Sequence, residues 1–274
     1  MTQSPGKENS KGTGESAKRA KVYAVTSGKG GVGKTSFALN LCITLNKAGM
    51  TVLLIDADMG LANVDLMTSV SAKFTIEDVI DGKASIFDAL AEGPEALTIL
   101  PAGSGLGKVD DFDSNRSRRF KEELLKLENA FDIIFIDTGA GISANVTDFV
   151  FMADEVVIVM TPEPTAFADA YAMAKLVFAE KPSADVSVIM NMSKNDAESE
   201  KLVGKFSEIV YSFLKKTVIF HGAIAQDKMV LESIMRQTPM ALCAVNTPAM
   251  KSIRKIARNM LGLEIPKQRT MFNR

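Results

Sequence analysis

The sequence predicts an α/β fold, a mostly parallel β-sheet flanked by helices on both faces. Three observations point there. Short apolar runs alternate with stretches of helical spacing along most of the chain. The runs are apolar throughout, as strands covered on both faces are, and do not alternate. A glycine-rich loop, "SGKGGVGKTS", stands between the first run and the first helical stretch, where such folds bind phosphate.

The elements follow in order. "KVYAVTS" reads as the first strand, and "KTSFALNLCITLNKAG" as a helix closed by Gly49. "TVLLID", "LTILPAG" and "FDIIFIDTG" read as strands, with the helix "RRFKEELLKLEN" before the last of them. The helix "ANVTDFVFMA" precedes the strand "EVVIVMTP", and the helix "AFADAYAMAKLVFAE" precedes "DVSVIMN". "ESEKLVGKFSEIVYSFL" is a further helix, and "KTVIFHG" a last strand. In "PAMKSIRKIARNMLGLEI", Met250, Ile253, Ile256, Ala257, Met260 and Leu261 share one helical face, with Lys251, Arg254, Lys255 and Arg258 largely off it. That pattern fits a last core helix or a basic helix lying on an anionic membrane.

Residues 1–20 hold no large apolar side chain after Met1, so they are expected to be a disordered polar tail. One domain is expected over 21–262, with a short C-terminal tail over 263–274 in which Met271 and Phe272 could touch a membrane. No uninterrupted apolar run reaches the about 18 residues of a membrane span, and the N-terminus lacks the apolar stretch of a signal peptide. Cys42 and Cys243 lie far apart in apolar sequence, as buried thiols in a reducing cytoplasm would. They form no CxxC pair for zinc or an iron–sulfur cluster. A net charge of −1 gives no global attraction to nucleic acid, which is therefore not an expected partner. His221 is the only histidine and is expected in a turn before Gly222. That leaves no Ser-His-Asp arrangement and no histidine-rich metal site. The 15 methionines fall at core-like positions and read as packing.

"VTSGKGGVGKTS", Val25 to Ser36, satisfies two phosphate-binding patterns. Gly28, Gly30 and Gly33 fit a dinucleotide fingerprint, and Asp56, 23 residues after Gly33, stands where that site wants its ribose acid. Gly28 to Thr35 also fit a P-loop, and Lys34 and Thr35 decide between the two. A dinucleotide has no use for an ammonium followed by a hydroxyl at the helix start. ATP with Mg2+ uses both: Lys34 neutralises the β- and γ-phosphates, and Thr35 gives the metal an oxygen. The expected nucleotide contacts are Gly28, Lys29, Gly30, Gly31, Val32, Gly33, Lys34, Thr35 and Ser36.

A second required part is Asp137, at the end of an apolar strand as in a Walker B element, where a carboxylate holds magnesium or else caps the next turn. Gly139 and Gly141 would let the backbone after it approach the γ-phosphate. Asp56 and Asp58 end another strand, and two carboxylates together there call for a cation or polar partners. Asp56 is assigned to the metal side and Asp58 to the attacking water.

With these residues in view, "SGKGGVGKTS" is identified as the deviant Walker A element of the ParA/MinD ATPases, with its signature lysine at Lys29. "DADMGLANVDLM", "DTGAGIS" and "TPEPTAFADAYA" resemble the FlhG branch (also called FleN or YlxH), and the resemblance runs from about Val22 to Gly262. It implies a slow ATPase that regulates flagellum number and placement through an ATP-dependent homodimer. It implies that Lys29 contacts phosphate in the partner's site, that Asp58 is the catalytic aspartate and that Asn191 holds adenine. Asn191 also reads as a plain turn residue after its strand. The implied partners are FlhF, flagellar C-ring components or a flagellar transcription regulator, with the protein cytoplasmic and peripheral at the inner face of the cell membrane. A ParA-type DNA or cargo positioning ATPase is the alternative on the same fold. The sequence departs from the family in three places, one of them the C-terminal stretch, where the family's membrane-binding helix is not distinct. The N-terminal tail lacks the "DQA"-like motif associated with FlhF stimulation, and Ala225 stands where the family commonly has proline.

Overall fold

The computed structural model describes residues 19–59, 63–103 and 114–262. β1 (Lys21–Ser27) leads through α1 (Lys34–Lys47) to β2 (Val52–Ala57), then to the short helices α2 (Asn63–Thr68) and α3 (Ile76–Ile80). β3 (Ala91–Glu92), β4 (Thr98–Leu100), α4 (Ser114–Leu125), β5 (Ile133–Ala140) and α5 (Ala144–Met152) follow. The second half runs β6 (Glu155–Met160), α6 (Pro164–Glu180), β7 (Asp185–Ser193), α7 (Asp196–Leu214) and β8 (Ile219–Ala225). It closes with α8 (Lys228–Met235), α9 (Met240–Cys243) and α10 (Pro248–Leu261).

The eight strands lie in the order β3-β4-β2-β5-β1-β6-β7-β8. Every pairing is parallel except that of β3 with β4. The expected continuous apolar strands are explained by burial: β2 and β6 are buried at every position. One face of the sheet packs against Phe120, Phe149, Met173 and Phe206 of α4 to α7. The other packs against α1, buried from Ser36 to Leu45, with α10 laid over it through Met250, Ile253, Ile256, Ala257 and Met260. The basic amphipathic stretch is therefore the last core helix. β1 sits at the centre between β5 and β6, where the winding reverses, and its C-terminal end opens the crevice that binds ligands in such sheets.

Several expectations change at the margins. Of the expected N-terminal tail, Arg19 and Ala20 are anchored: Arg19 pairs with Glu128 and Asp154, and the Ala20 N–H donates to the Glu128 carbonyl. The rest of that tail, and 263–274 with Met271 and Phe272, lie outside the described residues. The last strand runs three residues beyond "KTVIFHG" to Ala225, so His221 is not in a turn. Val188 and Ile189 of β7 face Phe220 and Gly222, which leaves His221 as the extra residue of a β-bulge. Its Nε2 lies 2.7 Å from the buried Glu155 carboxylate, which also accepts from Lys21 Nζ at 2.9 Å. Cys42 is buried as expected, but Cys243 is exposed on α9. Met192 and Met235 are exposed as well, so methionine packing holds for most of the set and not for all. At Ala225, the N–H donates to Ser252 Oγ of α10, a bond that proline in its place would lack.

Candidate active site

The loop expected to bind phosphate joins β1 to α1 and is held from several sides. Gly31 and Gly33 adopt φ of 77° and 88°, a region that favours glycine, and Gly33 caps α1. Ser27 Oγ donates to the Lys29 carbonyl at 2.7 Å, and the Gly141 N–H donates to the Ser27 carbonyl at 2.9 Å. Gly28 lies against α6: a Cβ added there would stand 2.4 Å from the Asp169 Cβ and 2.6 Å from its carbonyl oxygen. Val32 is buried, and its carbonyl accepts from Asn191 Nδ2 at 2.7 Å. A Cβ on Gly33 would meet the same amide at 2.4 Å, so both glycines are fixed by close approach. Asn191 thus supports the loop. Its Oδ1 accepts from the Met192 N–H, which leaves one amide N–H and one lone pair of the side chain for a further partner.

Lys34 and Ser36 of α1 are buried at the loop's exit, with Thr35 half-buried between them. Burial pushes the Lys34 ammonium below its ordinary pKa, and Asp137 and Asp58 oppose that shift. The helix start therefore holds a cation whose natural counter-charges are the strand-end carboxylates. Asp137 of β5 is fully buried, and neither of its oxygens has a hydrogen-bond partner of normal geometry. Burial raises it to about 7, against the pull of the Thr35 hydroxyl and the Lys34 charge. A buried carboxylate with both oxygens open, beside a hydroxyl and below a phosphate-binding loop, is the donor set a magnesium ion takes.

Asp56 lies opposite Asp137 in the β2–β5 register and is also fully buried, raised to about 8 by burial and by Asp137. Its oxygens are occupied: Oδ1 accepts from the Asp58 N–H and Oδ2 from the Val64 N–H, both at 3.1 Å. Asp58 is half-buried, and its Oδ1 would lie 3.5 Å from a Cβ on Gly139. The carboxylate thus lies over the end of β5.

A cavity of about 490 Å³ opens over the loop, lined by Gly30, Gly31, Gly33, Lys34, Thr35 and Ser36 and by Asp58 opposite them. Leu66 and Met67 of α2, Ala140, and Ile234 of α8 complete the wall. Lys29 does not line it. Its Nζ donates to Glu163 Oε2 at 2.6 Å on the exposed surface, and that bond raises its pKa. The structure thus brings the P-loop, Asp58, Asp56 and Asp137 together, and sets Lys29 and Asn191 at the crevice's margins. Sequence reasoning missed Leu66, Met67, Ile234, Glu163 and Asp169. The first three sit on the short helices α2 and α8, and neither Glu163, just before α6, nor Asp169 within it carries a local signal for contact with a loop far earlier in the chain.

The comparisons with known proteins point to one family. The model of the "AAA domain" family matches residues 20–181. The antiactivator FleN of Pseudomonas aeruginosa is 33% identical over 89% of this chain and 88% of its own length. The chain belongs to the ParA/MinD-type ATPases, in the FlhG branch. The flagellum site-determining protein YlxH of Helicobacter pylori is 31% identical over 90% of this chain and 86% of its own. Among solved structures, a MinC:MinD cell division complex from Aquifex aeolicus matches with a TM-score of 0.73 at 30% identity. That match covers 91% of this chain and 99% of the other.

Proposed function

We propose that this chain is an ATP-hydrolysing dimerisation switch that regulates flagellum number and placement. The observation that carries the mechanism is the division between the two loop lysines. Lys34 is buried in the crevice, with Asp137 and Asp58 acting on it, while Lys29 lies outside on Glu163. One chain therefore holds one phosphate-facing lysine and one in reserve. A charge supplied by a second copy would make hydrolysis depend on assembly, as an arginine finger does.

In this reading the N–H groups of Gly30 to Gly33 and the start of α1 hold the phosphate oxygens. Lys34 neutralises the β- and γ-phosphates. The Thr35 hydroxyl and the Asp137 carboxylate would hold Mg2+, which when bound offsets phosphate charge at the scissile bond. Asp58 orients the attacking water. Lys29 must leave Glu163 to reach a partner's phosphate. The flagellar assignment rests on the similarity to FleN and YlxH, and the readers of the ATP state would be FlhF, C-ring proteins or a transcription regulator. Among the described residues no helix is long and apolar enough to cross a membrane, so membrane contact would be peripheral.

The test is Asp58→Ala. It should bind ATP, dimerise on sedimentation analysis and hydrolyse poorly, and affinity capture with this trapped dimer should retain flagellar proteins. Normal turnover would remove Asp58 from its role. Recovery of chemoreceptor or plasmid-partition proteins would sink the flagellar reading and favour cargo positioning.

A further inference from the structure

We propose that Asp56 is a positioning residue for hydrolysis, which fixes the backbone carrying Asp58 and leaves the metal to Asp137 and Thr35. The inference rests on the ATPase reading above and departs from the sequence-based assignment of Asp56 to the metal.

Asp56 and Asp137 are neighbours in register, both fully buried, and their hydrogen-bond accounts are opposite. Neither Asp137 oxygen has a partner of normal hydrogen-bond geometry, and the one group beside them is the Thr35 hydroxyl. Asp56 has each oxygen engaged by a different backbone N–H, two and eight residues further along the chain. The first bond holds the residue that carries the water-orienting carboxylate. The second holds Val64 in the first turn of α2, whose Leu66 and Met67 form part of the cavity wall. A single carboxylate thus sets both Asp58 and the wall beside it. A buried backbone N–H left without its acceptor is costly, so each of these bonds ties its segment to the Asp56 carboxyl. Asp58 Oδ1 lies in contact range of the Gly139 backbone position, so a shift of the Asp58 backbone moves its oxygens along the end of β5. A displacement of about 1 Å in a reacting group can cost on the order of a hundredfold in rate.

Asp56→Asn keeps the side chain's shape, but turns an NH2 group toward one of the two N–H donors. The full-length variant is compared with wild type in steady-state ATP hydrolysis, in a Mg2+ titration of nucleotide binding and in hydrogen exchange. kcat should fall about 10- to 100-fold. KM for ATP and the half-saturating Mg2+ concentration should stay within about twofold, because the lost interaction acts on the chemical step and not on binding. The Asp58 and Val64 amides should exchange faster. In an Asp58→Ala background the same substitution should cause no further loss of kcat, because Asp56 acts through Asp58. Asp137→Asn serves as the control that raises the Mg2+ requirement. A rise of about tenfold or more in the Mg2+ needed by Asp56→Asn would make Asp56 a metal ligand and overturn the proposal. So would unchanged kcat, or an equal further loss in the Asp58→Ala background. Normal turnover by Asp58→Ala alone would instead overturn the reading of Asp58, a separate result. If Asp56→Asn fails to fold, Asp56→Ser, which keeps one hydroxyl acceptor, supports the same comparisons.

Discussion

Asp137→Asn should make the nucleotide-free protein more stable at pH 8 while abolishing its response to Mg-ATP. The carboxyl has an ordinary pKa of 3.8 and stands near 7 in the fold, raised by burial. Between those values the unfolded chain gives up the proton first, so stability falls as pH rises from about 4 to about 7, then levels off. The shift of about 3 units corresponds to roughly 4 kcal/mol of cost above pH 7, with the attraction of Lys34 already included. Asparagine carries no charge and removes that cost. Its amide has only the Thr35 hydroxyl beside it, and the polar group left unpaired costs about 1–3 kcal/mol in return. The net gain at pH 8 is then about 1–3 kcal/mol, or several degrees in melting temperature for a chain of this size. At pH 4 the folded carboxyl is neutral and the unfolded one only about half ionised, so little of the charge cost remains and the variant should melt lower. The chain has no tryptophan, so circular dichroism is the suitable readout. Mg-ATP should raise the wild-type melting temperature and leave the variant's unchanged. A variant that melts below wild type at pH 8, or that keeps the full Mg-ATP shift, would refute the reasoning.

Other perturbations bear on separate contacts. Burial alone would raise the Glu155 carboxyl, but bonds from His221 and Lys21 outweigh it and hold it at about 2 against an ordinary 4.5. Its contribution, about 3 kcal/mol, is present above pH 4.5 and lost as pH falls toward 2. Glu155→Gln should therefore lower the melting temperature at pH 7 and flatten the acid limb, and parallel limbs would count against the assignment. Glu163→Gln frees Lys29 and should shift ATP-dependent dimerisation to lower protein concentration. The shift should be no more than a few-fold, since the pair is exposed; weaker dimerisation would mean Glu163 is needed at the interface. Gly28→Ala drives a methyl into the Asp169 backbone and should cost about 1–3 kcal/mol, with ATP affinity falling in an equilibrium binding assay. Unchanged affinity would show that the loop does not depend on its seat against α6.

Much of the site was legible because its chemistry is local. Lys34 and Thr35 follow the glycines directly, and Asp137 closes an apolar strand, so residue type and spacing alone distinguish ATP from a dinucleotide. The continuous apolar strands and the helical face of α10 follow from burial on both sides, which any sequence of that pattern must satisfy. What failed was decided between distant segments. His221 looks like a turn residue before Gly222, yet the free edge of β7 draws three more residues into β8 and turns His221 inward onto Glu155, 66 residues earlier. Cys243 sits in apolar sequence, but α9 turns it outward.

The sequence by itself determined that the chain is a parallel α/β protein with a nucleotide-binding loop and a pair of strand-end carboxylates nearby. Only the tertiary structure decided how those groups divide the work. It places Asp137 with open oxygens and Asp56 with filled ones, although both are buried aspartates at adjacent strand ends. It puts Lys34 inside the crevice and Lys29 outside on Glu163, although the two lie five residues apart in one loop. Spacing along a chain specifies which chemical groups are available. Their partners, and hence their free lone pairs and charges, depend on which other strands and helices pack beside them.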